Sequence, residues 1–546
     1  MKKTKLKTIT KNLLFLFSLS LVIAGCSNKT TSEGEKEPTG ETKDSPKAED
    51  VGYPETLTYW TALDPNVAAT SASLNDVGVY QGIEEITGTK VDFKHPAGEG
   101  DRVTEQFNLM VASGNLPDVI EYNWLTVPKG PDNAIKNGTI IRLNELIEQY
   151  APNFSKYLDE NPDVKKMITT DEGNIYSFPF LRGDEHLMVF KGPIVRQDWL
   201  DKLNLEVPST ISEWETVLTA IKEQDPNGNG KNDEIPLLLE LVDIKGLGAF
   251  ASAWGNAPWF YQDNGEVKFG SIEPEFKEFL TTMSNWYQKG LYDADFAAID
   301  SKLRDAKVTG DQLGAFYSYT GSGIGKYTGL MKDSNPEFKM VGAPHPSVNE
   351  GEKAALGQKD HPMPGTGVAI TASAENKEEI VKWLDFAFSE EGHMLFNFGI
   401  EGKSYEMIDG YPTYTDEIFN NPDGLPVTQA LGKYMRSGYS GPFVQDRRYI
   451  EQYAELPEQQ DAIQTWTDSA ENAIQMPPVT LTADESNEFA SIMSDLETYY
   501  DEMVINFIMG NASMEEYDEF VATLKGMGIE RAIELQQAAL TRYNER

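Results

Sequence analysis

The first strongly patterned part of the chain alternates strand-like and helix-like segments. Residues 55–63, ETLTYWTAL, alternate in polarity and predict a strand. A helical stretch then ends at Gly88, and a strand-like segment, TKVDFKHP, follows it. In residues 101–123, apolar side chains at helical spacing stop at Gly114 and lead into PDVIEYN, which predicts a helix and then a buried strand. Strand–helix–strand order with short links predicts parallel pairing in an α/β lobe.

The same alternation returns in the second half of the chain. Residues 365–392 begin with GTGVAI, which predicts a strand, and continue with apolar side chains at helical spacing. The tryptophans that lie in amphipathic helical patterns are predicted to belong to the core, and these are Trp199, Trp214 and Trp383. With 546 residues, of which 40% are hydrophobic, the chain is too long for one compact core, so its length predicts about two domains.

The charge of the chain argues against several partners and chemistries. Its formal net charge is −40, from 87 acidic and 47 basic residues. Such a surface repels nucleic acid and anionic membranes, so we expect no nucleic-acid partner. The five histidines are scattered without ligand spacing, which gives no support to zinc catalysis. The sequence contains neither a glycine-rich phosphate loop nor a Gly-x-Ser-x-Gly elbow.

The N-terminus has the pattern of a secretion signal. Residues 1–12 carry only positive charge, and residues 13–24 form an apolar run that is too short for a comfortable membrane span. The run ends in IAGC and resembles a bacterial lipoprotein signal, in which Cys26 is lipidated and becomes the mature N-terminus. The alternatives are an uncleaved anchor and a buried free thiol. Residues 1–25 are therefore predicted to be a signal peptide and residues 26–50 a disordered polar tether.

The segment DPNGNGKNDEIP, residues 225–236, predicts a calcium loop. Oxygen donors at alternate positions come round one centre, and two glycines permit the sharp turn. An EF-hand would place a bidentate glutamate where Pro236 stands, and Glu234 is the natural substitute in a shortened loop. All the donors are hard oxygen atoms, which favours Ca²⁺ over zinc or copper. The predicted ligands are Asp225, Asn227, Asn229, the carbonyl oxygen of Lys231, Asp233 and Glu234. The alternative is a solvated turn before a strand.

Several separated blocks, in order, resemble one protein family. These are LMVASGNLPDVI, VRQDWLDKLNLEVPSTISEWETVLTAIKEQDPNGNGKNDEIPL, GIEGKSYEMIDGYPTYT and VTLTADESNEFASIMSDLETYYDEMVINFIMG. From about Pro54 to its C-terminus the chain is similar to bacterial extracellular solute-binding proteins of family 1. Its branch resembles the lipoprotein-type oligosaccharide receptors of ABC importers, which include alginate-oligosaccharide binders. The resemblance implies a two-lobed α/β fold of the periplasmic-binding-protein type II class, with a hinge, an interlobe cleft and a structural calcium away from the ligand.

The domain boundaries and the function follow from this resemblance as expectations. Lobe 1 is predicted to comprise residues 51–177 and 345–415, and lobe 2 residues 178–344 and 416–546, with the calcium loop. The expected function is that of a monomeric, lipid-anchored receptor on the extracytoplasmic face of the cell membrane. It would capture an oligosaccharide and deliver it to two ABC permease subunits with a cytoplasmic ATPase, without being an enzyme. The alternatives are a surface-anchored glycan-degrading enzyme and a glycan-binding adhesin.

The candidate ligand residues are aromatic and planar polar side chains beside turns, at strand ends where a cleft would open. Sugars present apolar CH faces and hydroxyl rims, which aromatic platforms, amides and arginine can bind. The predicted set comprises Trp60, Asn123, Trp124, Trp254, Trp259, Tyr317, Tyr319, Arg447 and Tyr449. For each aromatic residue taken alone the alternative is a place in the core. Arg447 would matter most for a uronic acid and would contribute modestly to binding of a neutral ligand.

Overall fold

Two mixed sheets organise the part of the chain that the structure describes. This computed structural model describes residues 51–546, apart from residues 99, 128, 437–439 and 455. Cys26, the predicted signal peptide and the predicted tether lie outside the described residues. Residues 51–546 fall within one compact unit of the chain. Within these described residues, no helix is long and apolar enough to cross a membrane.

The regular elements alternate along the whole described chain. The strands are β1 Thr56–Trp60, β2 Lys90–Lys94, β3 Val119–Asn123, β4 Phe178–Pro179, β5 Leu181–Arg182, β6 Lys191–Arg196, β7 Ile235–Leu238, β8 Phe260–Asp263, β9 Glu266–Phe269, β10 Leu313–Tyr319, β11 Met340–Gly342, β12 Thr366–Ile370, β13 Tyr405–Ile408, β14 Tyr411–Tyr414 and β15 Val444–Gln445.

The α-helices are α1 Pro65–Ala68, α2 Gly78–Thr87, α3 Asp101–Ser113, α4 Gly130–Lys136, α5 Asn144–Tyr150, α6 Pro152–Glu160, α7 Pro162–Ile168, α8 Gln197–Leu203, α9 Ile211–Glu223, α10 Leu241–Leu247, α11 Pro274–Gln288, α12 Ser301–Thr309, α13 Lys326–Met331, α14 Lys377–Asp385, α15 Glu390–Phe398, α16 Asp416–Phe419, α17 Val427–Gly432, α18 Arg447–Tyr453, α19 Pro457–Ser469, α20 Ala483–Met509, α21 Tyr517–Gly526 and α22 Ile529–Glu545. Single turns of 3₁₀-helix or π-helix lie at Leu74–Asp76, Glu185–Leu187, Ala251–Trp254, Gly270–Ile272, Phe296–Ala298, Thr320–Gly325, Phe386–Phe388 and Met514–Glu516.

The first sheet has the strand order β2-β1-β3-β12-β4. Strand β1 pairs parallel with β2 and with β3, which confirms the parallel pairing predicted from strand–helix–strand order. Helices α2 and α3 end at Gly88 and Gly114, as predicted, because both glycines adopt the left-handed conformation that closes a helix. Helices α5, α6 and α14 supply core side chains on one face of this sheet, including Phe154 and Trp383.

The second sheet has the strand order β11-β6-β10-β7. Strand β10 pairs parallel with β7 and antiparallel with β6. Its core receives side chains from α8, α9, α11 and α20. Trp199 and Trp214 are fully buried in this core, and Trp383 is 3% exposed in the core of the first sheet, so all three predicted core tryptophans are confirmed.

The connections between the sheets lie at one end of the strands in each sheet. We call the end where β1 and β3, or β7 and β10, finish the carboxyl edge of the sheet, and the opposite end the amino edge. Strands β1 and β3 both end at the edge where β4 leaves the first sheet and where β12 begins, with Thr366 opposite Asn123. The outgoing chain enters β6 at Lys191, directly opposite Tyr319 at the end of β10. The returning chain leaves from the end of β11, at the same edge of the second sheet, and enters β12. Both crossings therefore join the carboxyl ends of the two sets of strands, which is where open α/β sheets bind ligands.

One buried arginine ties the crossing segments together. Arg182 lies in the outgoing segment, and its Nη2 contacts an Asp360 oxygen of the returning segment at 2.8 Å. Its Nη1 donates to Oε1 of Gln445, in a third segment where β15 pairs with β5, also at 2.8 Å. Along the outgoing segment, Leu181 is the last residue of the first core and Val189 is the first residue of the second core. The change from one core to the other therefore falls within this segment.

Candidate functional site

The carboxyl edge of the second sheet carries a lysine between aromatic rings. Lys191 begins β6, and its ammonium lies 4.7 Å from the ring centroid of Tyr319 and 5.6 Å from that of Tyr317. The ammonium donates to Oδ1 of Asp243, at the start of α10. The side chain of Lys191 remains 12% exposed, so this ion pair lies at the border between the core and the solvent.

The residues beneath Lys191 are buried. Tyr317 and Asp243 are each 2% exposed, and the second oxygen of Asp243, Oδ2, has no hydrogen-bond partner among the described residues. Burial raises the pKa of the Asp243 carboxyl, although the neighbouring charge of Lys191 acts in the opposite direction. Burial also raises the pKa of Tyr317 well above its usual value, with a further contribution from Asp243. Tyr317 is therefore a neutral hydroxyl at physiological pH.

Exposed apolar residues lie on the elements that carry the charges of this edge. Tyr319 is 41% exposed, and its ring lies parallel to that of Phe190, with 5.9 Å between the centroids. Val242 and Leu303 are 64% and 37% exposed. Each is next in the chain to a residue of an ion pair, because Val242 precedes Asp243 and Leu303 precedes Arg304. The edge thus offers an aromatic ring and aliphatic groups beside paired charges, which suits a ligand with CH faces and hydroxyl rims.

A second ion pair fixes the outer part of this edge. Arg304 of α12 pairs with Glu240, which stands immediately before α10. Tyr319, Lys191 and the Glu240–Asp243 segment therefore come from three separate stretches of the chain. The loop that follows β7, the end of β10 and the start of β6 bring them to one place.

The carboxyl edge of the first sheet is filled by its own core. Trp124, directly after β3, is fully buried and donates its indole N–H to the carbonyl oxygen of Gly367 at 3.1 Å. Trp60, at the end of β1, is 6% exposed and packs with Phe107, which in turn stacks on Tyr122 at 4.0 Å. Neither tryptophan presents a free ring face in this structure.

A buried polar network lies behind this first edge. Arg436 pairs with both oxygens of Glu121 on β3 and donates to the Tyr80 hydroxyl at 3.0 Å. Tyr59 donates its hydroxyl to Glu121 at 2.6 Å. Asn123 is half-buried, and its Oδ1 accepts from the backbone N–H of Leu125 at 3.1 Å. Since its Nδ2 can still donate, Asn123 is the predicted residue of this edge that is best placed for a polar contact.

The other predicted ligand residues come from two further segments, the chain around Ala251–Trp254 and helix α18. Trp254 and Trp259 are half-buried and pack edge-to-face on Phe279 and Tyr500, with centroid distances of 5.9 Å and 5.4 Å. Arg447 and Tyr449 lie on α18. Arg447 Nε donates to Glu451 at 2.7 Å, and its Nη1 lies 4.0 Å from Oδ2 of Asp184 in the outgoing segment. The Tyr449 ring stacks on that of Tyr453 at 5.4 Å. The structure thus places Tyr317 and Tyr319 of the predicted set at the second edge, and Trp60, Asn123 and Trp124 at the first. The ring of Trp259 lies 5.1 Å from the ammonium of Lys245 on α10, the helix that begins at the second edge.

Sequence reasoning missed the charged residues of the second edge. Lys191, Asp243, Glu240 and Arg304 belong to no local motif, and Lys191 and Asp243 are 52 positions apart. The available signal was a lysine at the very start of a strongly apolar strand. It becomes informative only when the pairing of β6 with β10 is known.

A cavity of about 440 Å³ lies beside the outgoing segment. It opens between the turn that joins α6 to α7 and residues 182–188. Carboxylates dominate its charged lining, which contains Glu160, Asp163, Asp184 and Glu185, and Arg182 is also present at its wall. This lining is unfavourable for an anion, because Arg182 is already paired with Asp360.

The predicted calcium loop has a compact, ligand-like arrangement of oxygen atoms. The carboxylate of Asp225 accepts from the backbone N–H groups of Asn229 at 3.1 Å and Gly230 at 2.9 Å. The side-chain oxygens of Asn227 and Asn229 accept from the N–H groups of Asn229 and Lys231. These bonds fold the segment into a compact turn, in which Asn229 also donates its Nδ2–H to Oδ1 of Asp233 at 2.9 Å.

Glu234 shows that the loop fits a cation. It is 3% exposed, and neither of its carboxylate oxygens has a hydrogen-bond partner among the described residues. Burial raises its pKa, and the nearby charges of Asp225 and Asp233 raise it further. The described residues contain no cluster of three or more His, Cys, Asp or Glu side chains with metal-site geometry. The fit therefore rests on a mixed set of carboxylate, amide and backbone oxygen atoms, which suits Ca²⁺.

The loop lies far from the Lys191 edge. Ile235, the first residue of β7, follows Glu234 directly and donates its backbone N–H to the carbonyl oxygen of Gln312 at 2.8 Å. Glu240 lies beyond the other end of the same strand. A cation in the loop would thus bind at the amino edge of the second sheet, and the exposed aromatic surface lies at its carboxyl edge.

Comparison with known proteins gives a family match. A family model described as bacterial extracellular solute-binding protein matches residues 66–394. The matched part runs from before β2 to beyond β12, so it includes strands of both sheets and both crossings between them. It covers more than half of the 546 residues.

Individual relatives extend the similarity to nearly the whole chain. The chain is similar to the fructooligosaccharide ABC transporter substrate-binding protein FusA of Streptococcus pneumoniae, with 26% identity over 564 residues and 99% of each chain covered. Among solved structures, it is similar to the alginate-binding protein AlgQ2 without calcium ion, with 27% identity, a TM-score of 0.74, and 90% of this chain and 99% of that chain covered.

Two solved structures of FusA are also similar to the chain. FusA in complex with kestose has 25% identity and a TM-score of 0.72, with 90% of this chain and 99% of that chain covered. A FusA EF-hand mutant in complex with fructo-nystose has 24% identity, the same TM-score of 0.72 and the same coverage of 90% and 99%.

Proposed function

Because the chain belongs to the family of bacterial extracellular solute-binding proteins, we propose that it captures an oligosaccharide outside the membrane and delivers it to an ABC permease. Its fold is the two-lobed α/β fold of the periplasmic-binding-protein type II class, as predicted. Relatives named for fructooligosaccharide and alginate binding support an oligosaccharide as the ligand class.

The observation that carries the proposal is the carboxyl edge of the second sheet. Tyr319 lies there with an exposed ring, supported from behind by Phe190, and Val242 and Leu303 add exposed apolar surface. Lys191 and Glu240 offer a donor and an acceptor at the same edge. Aromatic stacking with polar groups at the rim is the usual means by which proteins hold sugars.

Binding would proceed in two stages. The sugar first stacks on Tyr319 at the second edge, since that is the edge with exposed apolar surface. The lobes then close about the crossing segments, which Arg182 joins, and this brings Asn123 and the first edge towards the ligand. The closed, liganded form would be the one that two permease subunits with a cytoplasmic ATPase recognise, and the receptor would act as a monomer.

Calorimetric titration with a panel of purified oligosaccharides tests this function. We expect micromolar or tighter binding of at least one glycan of three or more rings, and recovery of every glycan uncut after prolonged incubation. Cleavage products would favour the alternative of a surface glycan-degrading enzyme. Binding without glycan uptake by the cells, in a strain that keeps its permeases, would favour an adhesin.

We also propose that residues 225–234 hold a structural Ca²⁺. Its ligands would be the side chains of Asp225, Asn227, Asn229, Asp233 and Glu234 and the carbonyl oxygen of Lys231. The unpartnered, buried carboxylate of Glu234 supports this, because a cation would supply the missing partner. The ion would neutralise the acids that crowd the loop and would take no part in binding sugar.

We further propose that Cys26 carries the lipid that keeps the receptor at the extracytoplasmic face of the membrane. The support is the sequence pattern of residues 1–26. A Cys26→Ala variant should lose metabolic lipid labelling, and its soluble body should bind the same ligand with unchanged affinity. Full incorporation of labelled lipid into that variant would contradict the proposal.

A further inference from the structure

Three cations at and beside the candidate ligand site are already matched by carboxylates. At the carboxyl edge of the second sheet, Lys191 pairs with Asp243 and Arg304 pairs with Glu240. In the crossing segments beside it, Arg182 pairs with Asp360. Each positive charge in this group has a negative partner at ion-pair distance, so the group offers no net positive charge to a ligand.

Lys191 keeps its capacity to donate hydrogen bonds despite this neutralisation. An ammonium group has three N–H donors, and the contact with Asp243 uses one of them. The side chain is 12% exposed and its nitrogen lies above the ring of Tyr319, which is the exposed ring of the site. When a sugar ring stacks on Tyr319, one of its hydroxyl groups can therefore accept a hydrogen bond from Lys191. That hydroxyl group is uncharged.

A ligand carboxylate would meet a different environment at the same place. Asp243 is 2% exposed, and its Oδ2 has no hydrogen-bond partner among the described residues, so its negative charge is poorly screened. A second carboxylate beside Lys191 would have to share that lysine with Asp243, and two acids around one cation repel each other. The acidic lining of the nearby cavity, with Glu160, Asp163, Asp184 and Glu185, adds to this repulsion.

We propose that the ligand of this receptor is an uncharged oligosaccharide, and that Asp243 sets this selectivity by neutralising Lys191. The inference rests on the proposed function and specifies the substrate class of the same site. Asp243 acts as a positioning residue, because it works through Lys191 and not by touching the sugar. Uronic acid oligosaccharides are rejected because no unmatched cation of this group is available to pair with their carboxylates.

The test compares neutral and uronic acid oligosaccharides of equal length by calorimetry. The panel contains fructan, mannan and galactan trisaccharides beside trisaccharides of alginate and polygalacturonate. We expect a neutral member to bind at least tenfold tighter than any uronate, with an affinity nearly independent of salt. A uronate as the tightest binder would overturn the inference and leave oligosaccharide capture standing. Failure of the whole panel to bind would overturn the proposed function, and the inference with it.

A variant of Asp243 tests the cause of the selectivity. Asp243→Asn leaves Lys191 with an unmatched charge, so the ratio of uronate affinity to neutral-sugar affinity should rise at least tenfold, and uronate binding should weaken with added salt. An unchanged ratio in folded Asp243→Asn protein would contradict the assigned role. If that variant fails to fold, the double variant Lys191→Met/Asp243→Asn removes both charges. It should keep the preference for neutral sugars but bind them more weakly, and a gain of uronate binding by it would equally contradict the role.

The opposite end of β6 supplies a matched control. Arg196, the last residue of the strand, forms ion pairs with Asp198 and with Asp311, each at 2.7 Å. It lies five positions from Lys191, about 17 Å along an extended strand. The double variant Asp198→Asn/Asp311→Asn therefore leaves an unmatched buried cation on the same strand, away from the ligand. It should lower thermal stability without changing the ratio of uronate to neutral-sugar affinity.

Discussion

Trp124 at the carboxyl end of β3 and Tyr319 at the carboxyl end of β10 occupy similar positions in their sheets, but Trp124 is fully buried and Tyr319 is 41% exposed. The difference lies in what covers them. Phe107 of α3 packs edge-to-face on Trp124, whereas Phe190 supports Tyr319 from behind and leaves it exposed. An aromatic residue at a strand end is thus a binding platform only where the surrounding helices leave its face open.

The comparison also assigns different tasks to the two edges. The first edge has its aromatic side chains in the core and a buried Arg436–Glu121 ion pair behind them. The second edge carries its apolar groups at the surface beside paired charges. We infer that the second edge receives the sugar and that the first closes over it.

The largest expected effect is the loss of stability when Trp124 at the first edge is replaced. Trp124→Ala removes a fully buried ring and its hydrogen bond to Gly367, so the free energy of unfolding should fall by about 3–5 kcal/mol. The sugar affinity of the molecules that remain folded should change less than threefold. Chemical denaturation and calorimetry measure the two quantities. A large loss of affinity with unchanged stability would mean that Trp124 is a platform, as the sequence alone suggested.

The next effect concerns the calcium loop, at the opposite edge of the second sheet. Chelation should reduce the free energy of unfolding by about 2–3 kcal/mol relative to protein with Ca²⁺ at a hundred times its dissociation constant. Scanning calorimetry with and without chelator measures this. Glu234→Gln should abolish most of the response, and sugar affinity should be preserved in both cases. If calcium does not change the melting temperature, the segment is a solvated turn and not a calcium loop.

The stabilisation by calcium should depend on pH in a defined direction. Burial and the neighbouring acids raise the pKa of Glu234 in the metal-free loop. A carboxyl whose pKa is raised on folding favours the folded state when protonated, and this contribution is lost as the pH rises through the raised pKa. At neutral pH the charged form of Glu234 therefore lowers the free energy of unfolding of the metal-free protein. Calcium should stabilise the protein most at this pH. The calcium-induced shift in melting temperature should shrink as the pH falls through that pKa, and the shift in Glu234→Gln should vary less with pH.

Replacement of Tyr319, the exposed aromatic platform, should have a smaller effect, which is on the free energy of sugar binding and not on stability. Tyr319→Ala should weaken sugar binding about tenfold to thirtyfold, or about 1.4–2 kcal/mol, because the stacking surface is lost. Stability should change little, since the ring is 41% exposed. Tyr319→Phe should retain most of the affinity. Equal losses of binding for the two replacements would point to the hydroxyl and not to the ring.

The smallest expected effect is at Arg447. Its side chain is 44% exposed and pairs with Glu451 within α18, an arrangement that typically contributes below about 1 kcal/mol. Arg447→Ala should change the affinity for a neutral sugar less than threefold. A tenfold loss of sugar affinity measured by calorimetry would mean that α18 belongs to the ligand site. The difference between the two edges would then not explain where the sugar binds.

The sequence allowed the local features to be predicted and left the long-range ones open. Helix ends at Gly88 and Gly114 depend on a few neighbouring residues, as does the oxygen pattern of residues 225–234, and all of these can be read directly. The burial of Trp124 depends on Phe107 and Gly367, and Gly367 is 243 positions away. The pairing of Lys191 with Asp243 depends on strand order. No periodicity within one segment carries that information.

Arg182 gives the receptor a particular mechanical property. Its guanidinium holds Asp360 and Gln445 at once, so a displacement of one crossing segment is opposed by its bonds to the other two. Residues at either sheet edge can then change during evolution, and alter the sugar that is bound, without altering this joint between the crossing segments.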